Sequence, residues 1–99
     1  MIDKLEKLVA AGIELIPATD VTTHFIFQRD GFVALVERRG DGFGGVGSSG
    51  LLTEKGGLAP LVSRGDHAFF VGRDFEQEAT VEQVSKLRAF ARDLSAALA

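Results

Sequence analysis

The sequence predicts an α+β domain of two layers, in which N- and C-terminal helices pack on one face of a five-stranded antiparallel meander sheet. Three observations predict this class. Apolar residues recur at helical spacing at both ends of the chain, strand-like runs occupy the middle, and glycine-containing corners separate those runs. The expected element order is α-β-β-β-β-β-α, and 99 residues are interpreted as a single domain, 1–99.

The first element is predicted to be a helix over residues 3–11, "DKLEKLVAA", which carries one apolar stripe. Gly12 stands where a helix commonly ends on a left-handed residue, and Ile13 follows as the apolar contact beyond that end. Pro17 then prevents the helix from continuing. The pattern leaves open whether residues 13–16 add a further short strand.

The next two strands flank Asp30-Gly31, a dipeptide that suits a two-residue type I′ hairpin turn. This turn fixes which residues face each other across the hairpin. The predicted pairs are Phe25 with Val36 and Phe27 with Ala34 on one side, and Ile26 with Leu35 and His24 with Glu37 on the other. A second corner at Asp41-Gly42 is expected to return the chain into a third, glycine-rich strand.

The remaining elements follow at short intervals. Lys55-Gly56-Gly57 predicts a turn into a fourth strand, "LAPLVS", in which Pro60 indicates an edge or a bulge. "RGDH", residues 64–67, is interpreted as a solvated turn before a fifth strand, "AFFVG", and "RDFEQEA" as an acidic linker. Thr80 and Gln83 then predict a capping box that opens the last helix.

The stretch "GDGFGGVGSSG", residues 40–50, matches the glycine spacing of dinucleotide-binding loops. Such a loop needs a helix directly after the glycines, and Gly56-Gly57 and Pro60 interrupt the segment that follows. We therefore interpret the stretch as a strand, in which this many glycines indicate bulges or the close approach of another group.

A regular register places Gly47 beside Val36 and Gly45 beside Arg38. Bare backbone there would accept a neighbouring side chain, a partner or a ligand. The candidate ligand or partner contacts are Arg38, Gly45, Gly47, Ser48, Ser49, His24 and Glu37. His24 and Glu37 fit either a carboxylate-oriented general base or an ordinary cross-strand pair, and the second interpretation is preferred.

The residue types give little indication of a catalytic site or a cofactor-binding site. The chain has no cysteine and only two histidines, which lack the spacing of metal ligands, and no nucleophile–base pair can be assembled. We expect no metal, no cofactor and no enzymatic activity. With a net charge of −3 and dispersed basic residues, a nucleic-acid partner is not expected. Neither a signal peptide nor a membrane span is recognisable, which favours a cytoplasmic protein.

Both sides of the central hairpin carry apolar residues, whereas two helices cover only one face of a sheet. The sequence therefore predicts a non-catalytic interaction module, which forms a homodimer or binds a partner protein through the face that the helices leave bare. The alternative is a small-molecule or nucleotide-binding domain with a pocket over the glycine-rich strand, residues 42–50.

Overall fold

A computed structural model describes residues 2–17, 23–40, 42–53 and 57–99. Within these ranges, two helices flank seven strands in chain order. The elements are α1 (Ile2–Ala10), β1 (Glu14–Ile16), β2 (His24–Arg29), β3 (Phe32–Arg39), β4 (Gly42–Leu52), β5 (Leu58–Arg64), β6 (His67–Gly72), β7 (Phe75–Glu78) and α2 (Val81–Leu98). The strands follow one another in the sheet in sequence order, and every neighbouring pair is antiparallel.

The predicted five-stranded meander is wrong, because the sheet has seven strands and is curled into a half-barrel, while the helix–strand–helix order is confirmed. Residues Glu14–Ile16, whose structure was left open, form β1 against β2. The stretch interpreted as an acidic linker contains β7, which pairs with β6. Both added strands are short edge strands, and β7 is mostly polar, so neither carries the apolar alternation that reveals a half-buried strand.

The end of α1 follows the prediction. Gly12 has a φ of +73°, and its amide donates to the carbonyl of Val9 at 3.0 Å. The Ile13 amide donates to the carbonyl of Leu8 at 2.9 Å, which completes the pair of bonds of a Schellman motif. Ile13 is buried, so this helix end is fixed to the core as well as capped.

The central hairpin also follows the prediction. Asp30 and Gly31 have φ values of 55° and 84°, as a type I′ turn requires, and all four predicted cross-strand pairs are present. The predicted corners at Asp41-Gly42 and Lys55-Gly56-Gly57 include residues outside the described ranges. At the start of α2, the Gln83 amide donates to Thr80 Oγ1 at 3.0 Å and the Thr80 amide donates to Gln83 Oε1 at 2.9 Å, which confirms the capping box.

The core lies between the helices and one face of the sheet. Its largest fully buried side chains are Phe27, Phe70, Phe90, Leu94 and Val36, which come from three strands and from α2. Burying a side chain of this size contributes about 1.5–3 kcal/mol, so these contacts dominate the attachment of the helical layer to the sheet.

Arg29 joins three elements at one edge of this core. Its Nη1 donates to Asp93 Oδ2 on α2 at 2.9 Å and to the carbonyl of Ala11, just after α1, at 3.0 Å. Its guanidinium carbon also lies 5.6 Å from the centre of the Phe90 ring. The hydrogen bond from Arg29 holds the pKa of Asp93 below its ordinary value of 3.8. This arrangement ties β2 to both helices.

The glycine-rich strand curls the sheet. Val36 faces Val46 and Ala34 faces Ser49, and between these two pairs β4 is one residue longer than β3. Between the pair of Val36 and Val46 and the pair of Arg38 and Phe43, β4 is again one residue longer. These two irregularities are β-bulges, and a bulge bends its strand and increases its twist. The sequence left the register of this strand open, and the regular register considered for it is not formed. The expectation that its glycines mark bulges is confirmed.

The strand β5 turns the corner from one half of the sheet to the other. Residues 58–60 pair with β4, whereas residues 61–64 pair with β6. Pro60 lies where the pairing changes, and its nitrogen has no hydrogen to donate to a ladder. The residue predicted to mark an edge or a bulge thus stands at the corner of the half-barrel.

Candidate functional site

The glycine-rich segment does not form a phosphate-binding loop. Residues 42–52 make up a continuous strand, and the next element of the chain is strand β5 rather than a helix. A phosphate loop depends on the amides and the dipole at a helix N-terminus, and that element is missing next to these glycines. The interpretation of this segment as a strand is confirmed.

Backbone packing accounts for these glycines. Gly44 and Gly45 form the bulge opposite Glu37, and Gly47 with Ser48 forms the bulge opposite Leu35. A methyl group built at Gly50 would lie 2.6 Å from the carbonyl carbon of Ala59, so β5 approaches β4 too closely for any side chain there. At Gly45 the same methyl group would meet no heavy atom within 4 Å.

Arg38 lies beside aromatic rings rather than beside Gly45. Its register partner is Phe43, and its guanidinium carbon lies 4.3 Å from the centre of the Phe25 ring. The Phe25 and Phe43 rings are 4.9 Å apart between centroids. A cation over an aromatic face is attracted by the electron-rich ring, so Arg38 covers the open end of this aromatic cluster.

His24 and Glu37 face each other in the register, but each is bonded elsewhere. His24 Nδ1 lies 2.9 Å from Thr23 Oγ1, and Glu37 Oε1 lies 3.5 Å from Arg39 Nε. Because no hydrogen bond joins the two side chains in the described part of the chain, the geometry gives no support to a carboxylate-oriented general base.

In the pockets lined by described residues, no more than two of the predicted contact residues come together. His24 and Arg38 do line a common cavity of about 120 Å³ beside β1, but ligand pockets usually enclose about 300–1,000 Å³. Ser48 is exposed, whereas Ser49 is half-buried opposite Ala34. A pocket over the glycine-rich strand, the alternative interpretation, gains no support from these positions.

The feature that stands out is the face of the sheet opposite the helices, which we call the outer sheet face. Side chains alternate between the two faces along each strand, so the register assigns each residue to one of them. The apolar residues of the outer sheet face are Ile16, Ile26, Val33, Leu35, Leu52, Leu58, Pro60, Val62, Phe69 and Val71. None of them belongs to the core cluster that the helices share with the other face.

Exposure differs across the outer sheet face. Leu52 and Val62 are 37% and 38% exposed, Val33 is buried, and most of the others are half-buried. Charged residues lie around this apolar centre. Arg64 forms an ion pair with Glu76, and His67 Nδ1 lies 3.2 Å from Glu78 Oε1. An apolar centre with a polar rim is the usual composition of a protein interface.

The sequence indicated that the hairpin is apolar on both sides, and the structure extends this property to β5 and β6. It could be recognised in the hairpin because the Asp30-Gly31 turn fixes the register there. The contribution of Val62 and Phe69 depends on the corner in β5, where Pro60 predicted an edge or a bulge but not the change of pairing partner.

No protein-family model matches the chain, and no curated protein or solved structure is significantly similar to it. Among the described residues, no helix combines the length and the apolar character needed to cross a membrane. The same residues contain no group of three or more histidine or acidic side chains placed to hold a metal ion. A functional interpretation therefore has to come from the geometry of the sheet and the helices.

Proposed function

We propose that this protein is a non-catalytic interaction module that forms a homodimer through the outer sheet face. The observation that carries the proposal is the continuous set of apolar side chains on that face, outside the core that the helices share. A small soluble domain normally exposes polar residues on a face without a covering layer. Pairing with a second copy is the commonest way for such a face to be covered.

The sheet edges are less suited to association than its face. The edge strand β1 has three residues, which leaves few free backbone groups for another strand. The other edge, β7, carries Glu76 and Glu78, whose charges oppose pairing with a second copy of the same strand. Short, charged edges are the usual protection against edge-to-edge association.

The available area is adequate for a stable dimer. The molecule measures 41 × 27 × 19 Å along its principal axes. A face that extends over the two longer dimensions offers on the order of 1,000 Å², whereas a standard interface buries about 800 Å² per partner.

The test compares two lysine substitutions of exposed valines. Val62→Lys places a charge on the outer sheet face, where the wild-type valine is 38% exposed. Val9→Lys is the matched control, because Val9 is 76% exposed on α1, on the helical side of the molecule. Light scattering coupled to size exclusion would be measured for the full chain over a range of micromolar concentrations.

The proposal requires a wild-type mass about twice the 10.6 kDa of one chain, retained in Val9→Lys and reduced toward one chain in Val62→Lys. Far-ultraviolet circular dichroism must show that both variants are folded. A monomeric wild type at high micromolar concentration would contradict the homodimer. A dimer that dissociates in Val9→Lys but not in Val62→Lys would move the interface to α1.

A further inference from the structure

A second site lies where α2 passes the turn between β5 and β6. A cleft of about 710 Å³ opens there between the turn, the end of β7 and one side of α2. This volume falls within the range of about 300–1,000 Å³ that small-molecule pockets occupy. The cleft is therefore large enough for a metabolite-sized ligand.

The uncharged lining of the cleft consists of small side chains, all of them aliphatic except Ser85. Ala68 and Ala79 contribute from the sheet side, and Val84 and Ala89 from the helix side. Among the described residues that line the cleft, His67 supplies the single aromatic ring, and phenylalanine, tyrosine and tryptophan do not contribute. Because a planar base or sugar ring is normally held by stacking on an aromatic side chain, this lining favours an aliphatic body.

The charges in the cleft are separated by sign. Arg88 and Arg92 lie one turn apart on α2, while Asp66 and Glu78 come from the sheet side, next to His67. Within the described ranges, no ion pair joins the arginines to these carboxylates across the cleft. Arg92 lies 3.5 Å from its sequence neighbour Asp93, and 76% of its side chain is exposed. The cleft therefore presents donors on one side and acceptors on the other.

The geometry points to a binding site for a small aliphatic zwitterion, of the amino-acid or short-peptide class, in this cleft. The ligand carboxylate accepts hydrogen bonds from Arg88 and Arg92, whose guanidinium groups suit a planar acid. Its ammonium group lies toward Asp66 and Glu78, and its methylene chain covers the alanines between them. A ligand with a single charge interacts with only the arginines or only the carboxylates of the cleft.

The test uses three six-carbon probes that differ in their charged ends, together with one shorter zwitterion. γ-Aminobutyrate and ε-aminocaproate carry both charges, whereas hexanoate and hexylamine carry one each. Backbone amide NMR of the full chain would follow each titration and place the binding site by the residues that shift. We expect the better zwitterion to bind at least about fivefold more tightly than either single-charge probe, with shifts confined to residues 66–68, 78–79 and 81–92.

Substitutions separate a built site from general charge attraction. Arg88→Gln with Arg92→Gln removes the donor side and keeps good helix-forming residues, so the fold is retained. This double variant should bind the zwitterion at least about fivefold more weakly. Lys86→Gln is the control, because Lys86 lies on the same helix, pairs with Glu82 at 3.2 Å and does not line the cleft. It should bind as the wild type does.

Three results would overturn this inference. They are the absence of localised shifts at millimolar probe concentrations, equal affinity for hexanoate and ε-aminocaproate, and unchanged affinity in the double arginine variant. The cleft shares His67 and Glu78 with the rim of the outer sheet face but none of its apolar residues, so all titrations are compared at one protein concentration.

Discussion

Gly50→Ala should destabilise the protein strongly, whereas Gly45→Ala on the same strand should not. At Gly50 the added methyl group would lie 2.6 Å from the carbonyl carbon of Ala59 and 2.8 Å from the Cα of Pro60. At Gly45 it would meet no heavy atom within 4 Å, and the backbone there is not in the left-handed region. The two substitutions are chemically identical, so any difference between them reports the local geometry.

The magnitude follows from these contacts. Carbon atoms pack at about 3.5–4.0 Å, so the methyl group at Gly50 needs roughly 1 Å of additional space. The obstructing atoms are backbone, and only a displacement of β5 from β4 can provide that space. Overpacking costs about 1–3 kcal/mol, and a strained ladder bond adds roughly 1 kcal/mol, which gives about 3 kcal/mol for Gly50→Ala. Gly45→Ala should gain about 0.5 kcal/mol, because alanine restricts the unfolded chain.

Urea unfolding, monitored by far-ultraviolet circular dichroism, measures both effects in a chain that has no tryptophan or tyrosine. All proteins must be compared at one concentration, because association stabilises the folded state. In a domain of this size, about 3 kcal/mol lowers the melting temperature by more than roughly 10 °C. If Gly50→Ala were as stable as the wild type, or if Gly45→Ala were equally unstable, close approach of β5 would not be the reason for glycine at this position.

Three further predictions concern the helical layer and the core. Thr80→Ala should cost about 1 kcal/mol by removing the side-chain cap of α2, whereas Thr80→Ser, which keeps the hydroxyl, should stay near the wild type in urea unfolding. Asp93→Asn should lose a pH-dependent contribution to the free energy of unfolding. Because Arg29 lowers the pKa of Asp93 in the folded state, the wild type should exceed the variant in stability above the ordinary value of 3.8, and this advantage should disappear as the pH falls through the lowered folded pKa. If the wild type kept the same stability advantage over Asp93→Asn in acid, the coupling between Asp93 protonation and unfolding would be contradicted. Phe70→Ala should cost about 3–5 kcal/mol in calorimetry, because Phe70 is fully buried in the core.

Features set by a few adjacent residues could be predicted from the sequence. The Asp30-Gly31 turn determines the register of the hairpin it closes, because only a few residue pairs adopt two successive positive φ angles. Gly12 and Thr80 mark helix ends for equally local reasons. The end of α1 needs a residue with a left-handed backbone, and the start of α2 needs a side chain that accepts a hydrogen bond from a free amide. In each case the decisive interaction lies within a few residues of the signal.

Features that depend on packing between distant segments could not be predicted. The register of β4 shifts twice, because its glycines permit bulges that a regular alternation does not anticipate. The strand β7 escaped recognition because its signal is one apolar residue among acids, and pairing with β6 decides its conformation. The cleft beside α2 was missed for the same reason. Asp66 and His67 occupied an apparently solvated turn, and only the packing of α2 brings Arg88 near them.

The curl of the sheet explains why this chain can fill its core on one side and still retain apolar residues on the other. Two bulges in β4 and the corner in β5 bend the sheet, and the helices and sheet residues such as Phe27 and Phe70 complete a single core. Val62 and Leu52 stand outside that core, and folding of one chain leaves more than one third of each in contact with water. Apolar surface that stays in water after folding adds nothing to the stability of the single molecule. Burial of this remaining surface against a second copy is the reason that we propose for it.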